Sequence, residues 1–156
     1  MRISLLILFF LSIAYPLDIC IADNYRLIVT RKGSNIYKVM NKDIYIETKY
    51  CYQYVYFADA LLKMNGYTGE IIFIDQNSKC YVKSVYGSML IEPGIYNISV
   101  TLINDNWYQV VGTDVFVRTN MCLNLALDEE AILKIYADGT GILYVADDEC
   151  TVEGVY

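Results

Sequence analysis

The 156-residue chain reads as a mainly β protein in which one small antiparallel meander or barrel-like domain is written twice in tandem, with room for one short helix per copy. Three observations predict this fold class. The sequence matches itself after a shift of 71 positions, apolar and polar residues alternate along most of it, and a pair of cysteines recurs in register.

The shift carries Tyr25 onto Tyr96, Val29-Thr30 onto Val100-Thr101, Asn35 onto Asn106, Tyr37 onto Tyr108 and Asp43 onto Asp114. Thr48 and Cys51 fall on Thr119 and Cys122, and Ala60, Leu62 and Lys63 fall on Ala131, Leu133 and Lys134. After a one-residue deletion, Cys80, Val82, Val85 and Tyr86 meet Cys150, Val152, Val155 and Tyr156. Chance supplies scattered identities, but not both cysteines in register. The copies span 24–86 and 95–156, and the linker 87–94 carries Gly87, Pro93 and Gly94, the breakers expected at a boundary.

Within a copy the period is two. Residues 25–30 and 36–40 flank a polar turn (Arg31 to Asn35) and read as a hairpin, and Asn104-Asp105-Asn106 occupies the same turn in the second copy. Strands follow at 44–48, 50–57, 60–64, 71–75 and 80–86. The second copy repeats them at 115–119, 123–127, 132–136, 142–145 and 150–155, although 128–134, opened by Asp128, also fits a short capped helix. Tyr50, Tyr52, Tyr54 and Tyr56 share one face of their strand. Such a face is either an exposed aromatic platform for sugar or peptide, or core. The second copy places Met121, Leu123, Leu125 and Leu127 there, and this exchange of tyrosine for aliphatic residues favours the core.

Residues 1–22 have the form of a secretory signal peptide. Arg2 precedes an apolar run through Leu11, too short for the ~20 residues that span a bilayer, so no stable membrane insertion is expected after cleavage. Cleavage after Ala22 removes Cys20 and leaves an even four cysteines, as suits a secreted or periplasmic protein. Four cysteines allow three pairings. Only Cys51–Cys80 with Cys122–Cys150 lets each copy fold alone, and closing such a loop stabilises by about 3.5 kcal/mol on chain-entropy grounds. One difficulty attaches to this pairing: Cys51 shares its face with Gln53, whereas Cys80 alternates with Val82.

The chain contains no histidine, which excludes Ser–His–Asp, Cys–His and His-based metal sites. A net charge of −6 without a basic stripe argues against nucleic acid. No cofactor or metal is expected. The acidic runs Asp128-Glu129-Glu130 and Asp147-Asp148-Glu149 fall in turns and are not repeated in the first copy, so solvated charge is the simpler account than calcium binding or a glycosidase pair. Among polar residues, Asp43, Asp114, Lys63 and Lys134 stand out as weak binding candidates, because they match between copies and could form a repeated ion pair. The function expected is a non-enzymatic module that binds another macromolecule, protein or glycan, through loops or an edge strand. The rivals are a small exported carboxylate-dependent hydrolase and a secreted inhibitor of an enzyme.

Overall fold

The structure, a computed structural model, describes residues 23–122 and 124–156; the signal-peptide reading of residues 1–22 lies outside them. The first copy forms β1 (Asp23–Gly33), β2 (Ile36–Val39), β3 (Ile44–Lys49), β4 (Ala58–Asn65), β5 (Thr68–Phe73) and β6 (Ser78–Gly87). The second forms β7 (Gly94–Asn104), β8 (Trp107–Val110), β9 (Phe116–Asn120), β10 (Glu129–Ile135), β11 (Gly141–Val145) and β12 (Asp148–Val155). All pairings are antiparallel, and each copy closes into a six-stranded barrel, in the order β1-β2-β3-β6-β5-β4 and its counterpart β7-β8-β9-β12-β11-β10. The segment that also fitted a helix is strand β10.

Each barrel is two three-stranded meanders rather than one continuous meander. After β3 the chain crosses the barrel end, so that β4 pairs with β1 and β6 pairs with β3. Bulges where β1 leaves β2 and within the β3–β6 ladder bend the strands enough to close the barrel. At Gly69 a Cβ would lie 2.5 Å from the carbonyl oxygen of Lys63, and at Gly141 2.5 Å from that of Lys134, so both barrels require glycine where these hairpin strands approach.

The crossovers correct the sequence reading. The sequence pattern reads 50–57 and 123–127 as strands, yet no strand forms at 50–57 or at 124–127. The alternation at 50–57 is real, with Cys51 and Val55 turned inward and the tyrosines outward, but the segment lies across the barrel mouth and joins no ladder. Period two reports which side of an extended chain is buried and says nothing about backbone partners.

Inside the first barrel Val29, Tyr37, Ile46, Ile71 and Phe73 are fully buried, and Val100, Tyr108, Val117, Leu143 and Val145 fill the second. The copies do not share a sheet. They pack through a separate apolar cluster of Ile36, Tyr45 and Tyr86 from the first copy with Trp107, Phe116 and Tyr156 from the second. These are equivalent positions, so the same patch of each copy faces the other, as in a two-fold dimer. The contacts are reciprocal: Tyr45 meets Tyr156 at 5.4 Å between ring centres, and their counterparts Phe116 and Tyr86 meet at 4.8 Å.

Candidate functional site

Both predicted disulfides form, Cys51–Cys80 and Cys122–Cys150, with Cα atoms 5.5 and 5.2 Å apart. The facing difficulty disappears because Cys51 sits on the crossover rather than in a ladder strand, free to turn inward onto β6. Two such bonds fit an oxidising, extracellular environment. No helix among the described residues is long and apolar enough to cross a membrane.

Each crossover is a strap tied down by the same set of bonds. In the first copy the Cys51 N–H donates to Asn35 Oδ1 (2.7 Å), the Tyr37 hydroxyl to the Gln53 carbonyl (2.9 Å), the Arg31 N–H to the Val55 carbonyl (2.9 Å) and the Phe57 N–H to Thr30 Oγ1 (3.0 Å). In the second copy Cys122, Asn124, Ala126 and Asp128 make the equivalent bonds with Asn106, Tyr108, Leu102 and Thr101. Left-handed residues bracket each strap: Tyr50 and Phe57 in one, Met121 and Asp128 in the other. The matched asparagines and tyrosines of the repeat now have a purpose. Asn35 and Asn106 adopt left-handed turns and hold the cysteine N–H groups, while Tyr37 and Tyr108 reach through the core to hold the straps from beneath. Burial raises the pKa of both tyrosine hydroxyls, keeping them neutral donors.

What the straps present outward overturns the core reading. Tyr50, Tyr52, Tyr54 and Tyr56 are 85, 76, 82 and 78% exposed. Met121, Leu125 and Leu127 are 88, 83 and 79% exposed, and Leu123 lies outside the described residues. The inward set is instead Cys51, Gln53 and Val55, matched by Cys122, Asn124 and Ala126. Its half-buried amide hid the signal, because an apolar face opposite a glutamine is naturally taken for core. The straps therefore carry two exposed apolar ridges at equivalent places in the two copies.

The four polar candidates do not come together. Asp43 lies in the β2–β3 turn and pairs with Lys38 at 3.6 Å, and Asp114 is exposed in the β8–β9 turn. Lys63 is exposed on β4, whereas Lys134 on β10 lies 5.0 Å from the Tyr136 ring centre. No ion pair joins Asp43 to Lys63 or Asp114 to Lys134 among the described residues. A different pair does repeat, with its signs exchanged. Glu47 on β3 binds Lys83 on β6 at 2.8 Å, and at the matching positions Arg118 on β9 binds Glu153 on β12 at 2.6 Å. Glu47 also accepts the Tyr86 hydroxyl at 2.5 Å, while the Arg118 guanidinium stacks over Tyr45 across the interface at 4.4 Å. Of these contacts, the one between Arg118 and Tyr45 joins the two copies.

The acidic residues Glu129 and Glu130 border an open cleft of about 700 Å³ with Asn97, Ser99 and Tyr144. They are the first two residues of β10, and both are exposed. Neither a family model, nor a curated protein, nor a solved structure matches the chain.

Proposed function

We propose that this is a non-enzymatic binding module, secreted or periplasmic, that grips another protein through its two straps. The observation that carries the reading is the exposure of the tyrosine ridge in one copy and of the Met–Leu ridge at the same place in the other. Tyrosine supplies large, stiff contact area at small entropic cost, and methionine and leucine adapt to apolar partners. Sugars stack on aromatic rings but gain little from leucine, so a protein partner accounts for both ridges. Paired sites on one chain also raise avidity when both engage one target. The disulfides and the apolar leader read at residues 1–22 support export.

The test is site-specific photo-crosslinking in the native compartment, with benzoylphenylalanine placed at Tyr52, at Leu125, and at Tyr67, a fully exposed hairpin residue away from the straps. Adducts to polypeptide at both strap positions and none at Tyr67 are expected. Equal labelling at all three positions, or none at the straps, would refute the proposal. The hydrolase rival predicts turnover of a glycan or peptide panel that is abolished by Glu129→Gln or Glu130→Gln.

A further inference from the structure

One cleft sets the first strap apart. It measures about 580 Å³, runs beside the tyrosine ridge where the copies meet, and is lined by Arg31, Lys32, Ser34, Tyr54, Tyr56 and, from the second copy, Asp105. The Arg31 guanidinium carbon lies over the Tyr54 ring, 3.9 Å from its centre. A guanidinium beside a ring keeps its planar fork of N–H donors, the shape that matches a carboxylate. Among the described residues neither Arg31 nor Lys32 has an acid within ion-pair distance, and Arg31 Nε is sealed from solvent without an acceptor. Asp105 is the cleft's own carboxylate, and it makes no ion pair with either cation. Two unpaired neighbouring cations on a chain of net charge −6 are a local reversal of sign. In the second copy Leu102, Ile103 and Leu125 replace Arg31, Lys32 and Tyr54, so cation and ring are lost together and the site belongs to the first copy alone.

Building on the protein-binding reading, we infer that this cleft receives an acidic segment of the partner polypeptide, with a Glu or Asp carboxylate on Arg31 and Lys32 and a neighbouring apolar side chain against Tyr54 and Tyr56. Charge complementarity selects the acid, and the continuous ridge selects a chain with apolar groups on either side of it.

The experiment probes an array of acetylated octapeptides with the full chain. Each peptide carries Asp or Glu among apolar residues and is paired with its Asn or Gln twin. Acidic peptides should be retained about tenfold over their amide twins, as for one charge-assisted contact pair. Arg31→Gln and Lys32→Gln should each erase most of that preference. Lys32 is exposed, so its variant keeps the test sound if Arg31→Gln lowers folding, which thermal unfolding monitors. Absence of an acid preference, or its survival in both variants, would overturn the inference. So would Arg31-dependent capture of polygalacturonate as strong as that of the peptides, which would make the ligand a glycan. Strap crosslinking that persists without any acid preference would remove this inference and leave the protein-binding reading standing.

Discussion

At the scale of single residues, the fold depends on polar groups that reach inward to hold backbone. Tyr37→Phe and Tyr108→Phe each remove a hydroxyl that satisfies a strap carbonyl, and each should cost about 1 kcal/mol in urea unfolding. The exchanged ion pairs allow a sharper test. Glu47→Arg places a second cation against Lys83 on a buried strand position and should destabilise by about 2 kcal/mol. Adding Lys83→Glu recreates the arrangement of Arg118 with Glu153 and should recover part of the loss. Tyr86 and Tyr156 sense alkali. Burial, joined by the Glu47 bond in one case and by Tyr45 and Asp43 in the other, raises both above the ordinary 10.0. The folded chain therefore holds these protons more tightly than the unfolded chain does. Their contribution to stability is complete below pH 10 and is lost as pH rises above it. The thermal midpoint should decline beyond that point, and Tyr86→Phe should flatten part of the decline.

At the scale of elements, the straps are the unusual feature. Replacing Cys51 and Cys80 by serine should cost about 3–4 kcal/mol and speed hydrogen exchange at Arg31, whose N–H is bonded to the strap. Serine at Tyr52 or Tyr56 should change stability by less than about 0.5 kcal/mol, since neither ring is buried. The duplication, the cysteine pairing and the hairpins were legible in the sequence, because turn residues and alternation act locally. The straps were not. Alternation at 50–57 looks the same whether the chain joins a ladder or crosses a barrel mouth, and only the return of β4 to β1, a long-range pairing, distinguishes the two. The exchanged signs at Glu47/Arg118 and Lys83/Glu153 were visible in the aligned copies, but their pairing becomes evident only once β3 lies beside β6.

At the scale of the whole molecule, the duplicated copies use one patch as a built-in dimer interface. Trp107 touches Tyr45 and Tyr86 across the interface, at 5.2 Å each. Trp107→Ala should lower stability by about 3 kcal/mol and split a single unfolding transition into two as the barrels uncouple. This packing leaves the straps open to solvent, and the account of function depends on that exposure. Nitration with tetranitromethane, followed by peptide mass mapping, measures it most directly. The account predicts that Tyr50, Tyr52, Tyr54 and Tyr56 are modified well before Tyr37, Tyr45 and Tyr108. Strap tyrosines that resist the reagent as long as Tyr37 does would contradict it.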